Sequence, residues 1–101
     1  MNIIIKRLNN HDKFAKWGEQ LQTTRKDEAV ETMKQEGTVF EGFYAFEMAG
    51  QKYAIGAQII DEAKKAAGQQ HFVVDDEHQA MRKECLGEII PAEVIYELEN
   101  L

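Results

Sequence analysis

The sequence predicts an α+β fold: a four-stranded antiparallel sheet with helices on one face, in the order β-α-β-β-α-β. Three observations carry this reading. A β-branched run opens the chain, a strand–turn–strand pattern fills its middle, and blocks with helical spacing separate these from each other and from an alternating segment near the end. At 101 residues the chain is large enough for one core, so residues 1–101 are read as one domain.

Ile3 to Leu8 reads as the first strand, closed by Asn9-Asn10, which suit a helix cap. From Asp12 the pattern is helical, with Phe14, Trp17 and Leu21 on one face. Val30 and Met33 are out of phase with that face. Between them Thr24 can cap a new turn, with Asp27 answering from the third position, which predicts a break near Thr23 and two helical pieces ending at Gly37. Thr38 to Met48 is an aromatic-rich strand, Ala49-Gly50 a tight turn, and Gln51 to Ile60 the returning strand. Asp61 to Ala67 is a short helical turn ended by Gly68. Phe72-Val73-Val74 is expected to be extended, and Asp76 to about Leu86 or Glu88 forms the last helix, capped by Asp75 or Asp76. Its apolar stripe runs His78, Met81, Cys85, Ile89. Pro91 then separates it from a final strand, Glu93 to Leu98, which alternates Val94, Tyr96, Leu98 against Glu93, Glu97, Glu99.

This order is the ferredoxin-like arrangement. In the central hairpin both faces are apolar: Val39 and Phe43 on one, Phe40, Tyr44, Phe46 and Met48 on the other. One helical layer covers only one face, so a second copy of the sheet is the simplest cover for the other, and a homodimer is expected.

A net charge of −6 argues against nucleic acid, a polyanion held by Lys/Arg clusters. The pairs Lys64-Lys65 and Arg82-Lys83 sit beside acidic residues and read as solvated faces. Cys85 is the only cysteine and lies on an apolar stripe, which suits a reducing compartment. Ile3-Ile4-Ile5 is far too short for a signal-peptide core or a membrane span, so a cytoplasmic, membrane-free protein is expected. No Gly-rich loop leads into a helix as phosphate binding requires. The chain contains no serine, and Cys85 is placed like a core residue, so no nucleophilic triad is evident.

The segment His71-Phe72-Val73-Val74-Asp75-Asp76-Glu77-His78 holds two of the three histidines around an acidic helix start. The field of a helix N-terminus disfavours imidazolium, so His78 is expected to be neutral near pH 7, able to act as a general base or a donor to a developing oxyanion. A structural histidine satisfied by a backbone or carboxylate partner fits the same spacing. His71 is brought towards His78 or carried away by the stretch between them, which sequence leaves open. Asp75 serves most simply as a cap, and alternatively orients an imidazole through Nδ1. Glu41 shares a strand face with Val39 and Phe43, so its pKa is expected to rise on desolvation unless Arg7 or Arg25 pairs with it. Tyr44 and Tyr53 can supply hydroxyls to a pocket or pack as core. Glu36 reads as solvent-exposed, and His11 has no assigned role.

Trp17, Asp27-Glu28, Glu36-Gly37, Glu41, His71-Phe72-x-x-Asp75-x-x-His78 and Cys85-Leu86 together resemble a family of small, mostly bacterial proteins grouped as a domain of unknown function and related to the dimeric α/β-barrel proteins. The resemblance covers nearly the whole chain, and the His-x3-Asp-x2-His segment is its most distinctive part. It implies the dimeric α/β-barrel type of ferredoxin-like fold and supplies no chemistry. That wider group includes cofactor-free monooxygenases, sugar mutarotases and stress-response proteins, a likeness of fold alone.

Three functions compete. The favoured reading is a small-molecule-binding protein or cofactor-independent enzyme of the proton-transfer or isomerisation type, with His78, His71 and Glu41 as catalytic candidates. Phe43, Tyr44, Tyr53 and Asp75 are its ligand-binding candidates, and it needs no cofactor. The second is a dimeric interaction module without catalysis. The third is a metal site of two histidines and a carboxylate, although the spacing matches no strong ligand motif and no metal is expected.

Overall fold

A computed structural model describes residues 1–67 and 70–100. The fold is α+β, with a four-stranded antiparallel sheet and three helices. The elements are β1 (Asn2–Leu8), α1 (His11–Gln22), α2 (Lys26–Glu36), β2 (Thr38–Met48), β3 (Gln51–Ile60), a 3₁₀ turn (Glu62–Lys64), α3 (Val73–Cys85) and β4 (Leu86–Ile89). The strand order is β2-β3-β1-β4, so β3 lies between β1 and β2, and β2 and β4 are the two edges.

Local chemistry explains most element boundaries. The Asn10 side chain accepts the Lys13 N–H at 3.2 Å, satisfying one free donor at the start of α1. The expected break follows at Thr23, whose hydroxyl donates to the Glu19 carbonyl at 2.7 Å and competes with helix continuation. Gly37 ends α2 at φ 74°, a left-handed cap whose N–H answers the Lys34 and Met33 carbonyls. A Cβ there would stand 2.6 Å from the Asp61 carbonyl oxygen, so the position demands glycine twice over. Ala49 and Gly50 both have positive φ, 50° and 77°, the twist that suits a two-residue hairpin.

Five expectations need correction. Residues 93–98 form no strand; β4 is Leu86–Ile89, paired with β1 through Lys6–Ile89 and Leu8–Leu86. The last helix runs Val73–Cys85, so Val73 and Val74 are helical and Ile89 belongs to β4. Buried Val74 shows why: inward packing outweighs the β preference of the Val pair. Neither Asp75 nor Asp76 caps that helix; the cap position is Phe72, without a side-chain bond. Nor does Thr24 cap α2, where Arg25 stands instead, again without a capping bond. The helical turn at 61–67 shrinks to Glu62–Lys64, and its predicted end at Gly68 lies outside the described residues.

The core sits on one face of the sheet. Leu8, Ala54 and Leu86 are buried there, with Phe14 of α1 and Phe43 of β2 packed against them. Phe14 and Phe43 meet edge to face, ring centroids 5.3 Å apart. Strand alternation and the register put Ile4, Gly56, Glu41 and Phe43 on this face, and Ile5, Ile55, Tyr44, Phe46 and Tyr53 on the opposite one. Among the described residues, no helix is long and apolar enough to cross a membrane.

Candidate functional site

Trp17 organises the space between α1, α3 and the sheet. It is 2% exposed, and its indole N–H donates to Nδ1 of His78 at 2.9 Å. An indole nitrogen only donates, so Nδ1 must be the accepting nitrogen and the neutral imidazole carries its proton on Nε2. That Nε2 is buried and has no hydrogen-bond partner among the described residues. Burial, and then the nearby Arg82 cation, hold the His78 pKa below the ordinary imidazole value, with Asp75 pulling the other way. An imidazolium would also turn a second N–H against the indole N–H. Burial, Arg82 and the indole donor thus all favour the neutral imidazole, while the helix N-terminus is a minor actor because His78 lies in the second turn of α3 rather than the first.

Arg25 clamps this arrangement from outside. Its guanidinium forks onto Glu77 at 2.6 and 2.8 Å and onto Glu28 at 2.9 and 3.0 Å, with its carbon 5.9 Å from the Trp17 ring centroid. The hydrogen bonds from Arg25 lower the pKa of both carboxyls. α2 is thereby tied to α3 directly over the Trp17–His78 pair.

On the sheet side, the Phe43 ring lies 6.5 Å from the His78 ring and 5.8 Å from the Arg82 guanidinium carbon. Beyond it opens a cavity of about 340 Å³, lined among others by Asn2, Glu41, Phe43, Gly56, Gln58 and Arg82. Gly56 makes room for the ring, since a Cβ there would stand 2.8 Å from Phe43. Glu41 is solvent-accessible, yet the atoms crowded around its carboxyl desolvate it and raise its pKa; Arg82 opposes that rise and Asp75 adds to it. Glu36 is raised by desolvation too, then by Asp75 and Glu41, which brings three carboxyls into one field.

The sequence-predicted residues thus divide. Glu41 and Phe43 line the cavity, His78 faces the Phe43 ring without lining the cavity itself, and Asp75 acts on both Glu41 and His78 through its charge. His71 goes elsewhere: its side chain is 72% exposed, with Nε2 2.9 Å from Asp76. Tyr44 and Tyr53 lie on the other sheet face, where Tyr53 stacks on Phe46 at 5.2 Å. Arg7 and Arg25, the expected partners of Glu41, are engaged with Glu88 and with Glu28 and Glu77. The cation facing Glu41 is Arg82, which is half-buried rather than part of a solvated face. Its spacing of four from His78 was the available signal, because that places both on one side of α3. Trp17 was read as part of one face of the first helix and of the family resemblance, and nothing in the sequence pairs it with His78. Among the described residues, no three His, Cys, Asp or Glu side chains are grouped to hold a metal ion.

No curated protein and no solved structure matches this chain. One family model does, over residues 6–101, and it takes in Trp17, Glu41, His78 and Arg82. The chain belongs to that family, DUF6176, a family of unknown function.

Proposed function

We propose that the cavity binds a small polar molecule, the chain acting as a binding protein or as a cofactor-independent enzyme of the proton-transfer or isomerisation type. One observation carries the reading: a carboxyl with a raised pKa, Glu41, and a cation, Arg82, line the same cavity of about 340 Å³. A carboxyl held closer to neutrality takes and returns a proton more readily, and Arg82 offsets negative charge that develops on an oxygen. The Asn2 and Gln58 amides add neutral donors and acceptors, and Phe43 supplies an apolar wall. His78, with its proton on Nε2, lies in the field of the same Arg82 and Asp75 charges that act on Glu41.

Ligand-observed NMR with a library of small carboxylates, hydroxy acids and sugars tests this. Hits that weaken at least tenfold in Arg82→Met and Glu41→Gln, and stay unchanged in Tyr44→Ser, support the site. Absence of any hit at millimolar concentration, or hits indifferent to both cavity substitutions, overturns it.

The opposite sheet face favours a second, compatible role in assembly. Phe40, Tyr44 and Met48 of β2 and Ile3 of β1 are exposed there, beside Ile5, Ile55, Phe46 and Tyr53. A second copy placed against this face would give a homodimer of the dimeric α/β-barrel type, and the position of β3 between β1 and β2 suits a ferredoxin-like arrangement. Buried Cys85 fits a reducing, cytoplasmic setting. If the cavity proves inert, a dimeric interaction module is the reading that stands.

A further inference from the structure

β4 ends at Ile89, and the Ile90 N–H still donates to the Ile5 carbonyl at 2.8 Å. From Pro91 onwards the described chain has no secondary structure and makes no described hydrogen bond. Yet Val94, Ile95, Tyr96 and Leu98 are 70%, 80%, 76% and 88% exposed, the densest run of bare apolar side chains among the described residues. Alternation with Glu93, Glu97 and Glu99 gives this stretch the pattern of a half-buried strand.

Its own sheet cannot seat it. The pairing Lys6–Ile89, continued antiparallel, would set Ala92 opposite Ile3, Glu93 opposite Asn2 and Val94 opposite Met1, so Ile95, Tyr96 and Leu98 would overhang the start of β1. The other edge, β2, pairs only with β3 and presents unpaired backbone groups at every second residue along its 11-residue length. β2 is three strand spacings from β4, on the order of 14 Å, so the tail of the same copy reaches that edge only by crossing the sheet. A second copy can offer its β2 without that crossing. The apolar rows also match, since Val94, Tyr96 and Leu98 repeat every second residue, as do Tyr44, Phe46 and Met48.

We infer that residues 92–98 of each copy add as a strand to the free β2 edge of a second copy, the two tails being exchanged. The two-fold contact is self-complementary: each copy brings one unseated strand and one unpaired edge. This rests on the homodimer proposed above and names the segment that locks it.

Light scattering on the full chain, on a chain ending at Ile90 and on Tyr96→Glu tests the inference. The expected result is a dimer for the full chain and a dissociation constant raised at least tenfold in both variants. A full-chain monomer of 11.6 kDa overturns the homodimer and the exchange together. A dimer that persists unchanged in both variants overturns the exchange alone. Oxidation of a mixture settles which copy is contacted, one protein carrying Leu98→Cys and the other Phe40→Cys, Tyr44→Cys or Met48→Cys. Cross-linked heterodimers are expected for at least one pairing, whereas none at any of the three positions contradicts the inference.

Discussion

The two faces of one sheet solve opposite problems. On the face under α1 and α3, small residues at Ala54 and Gly56 let Phe43, Phe14 and Leu8 close together. The polar groups left on that side, Glu41, Arg82 and His78, act on one another or stand against a cavity. On the other face, Ile3, Ile5, Tyr44, Phe46, Tyr53 and Ile55 form an apolar field, and Arg7 beside it is paired with Glu88. A shielded face can hold a neutral imidazole and raise the pKa of a carboxyl because water is partly excluded there. A bare apolar face is suited to partners rather than to chemistry.

Trp17→Ala should break the covered face most severely. It removes the most buried large side chain of α1 and the donor that fixes His78, so a loss of about 3–5 kcal/mol in urea unfolding is expected. Trp17→Phe separates the two effects, sparing most of the packing and freeing the His78 tautomer. A loss below about 1 kcal/mol in the alanine variant would show that this face is not the stabilising one.

Gly37→Ala comes next. It combines a left-handed φ of 74° with a Cβ 2.6 Å from the Asp61 carbonyl, so destabilisation of about 1–3 kcal/mol is expected, with the turn after β3 displaced. Thermal unfolding reads it.

The pH dependence sharpens the contrast further. The folded-state pKa of His78 lies below its unfolded value near 6.5, so the unfolded chain takes the proton first. The stabilisation is complete above that unfolded value and is lost as pH falls through the folded pKa. Melting temperature should therefore drop between pH 7.5 and 5.5, and His78→Phe should flatten that part of the profile. The same slope in the variant would assign the dependence to other groups.

The smallest effect is expected on the open face. Tyr44→Ser should change the stability of the monomer by no more than about 0.5 kcal/mol, because the side chain is already 54% exposed. Its effect belongs to self-association, seen by sedimentation at rising concentration.

Much of the fold was legible because local chemistry decided it. Asn10, Thr23, Gly37 and Ala49-Gly50 set boundaries through their own backbone or side-chain preferences. The errors arose where tertiary packing decided instead. Val73 and Val74 look like a strand, but burial of Val74 makes them the first turn of α3. Residues 93–98 alternate like a strand, but a strand needs an edge, and the register past Ile89 would carry Ile95 to Leu98 beyond the start of β1. The site was half legible for the same reason: Glu41 announced itself as a carboxylate among apolar neighbours, whereas Arg82 and Trp17 acquire their roles only once α1, α3 and β2 converge.

Amide NMR spectra of labelled protein, recorded over a range of concentrations and then with a cavity ligand, test the division of labour most directly. The account predicts that dilution moves resonances of the open face and tail, Ile5, Tyr44, Ile55 and Val94 to Leu98, while ligand moves Glu41, Phe43, Gly56 and Arg82. Ligand-induced shifts concentrated on the open face, with concentration-dependent shifts on the covered one, would contradict it.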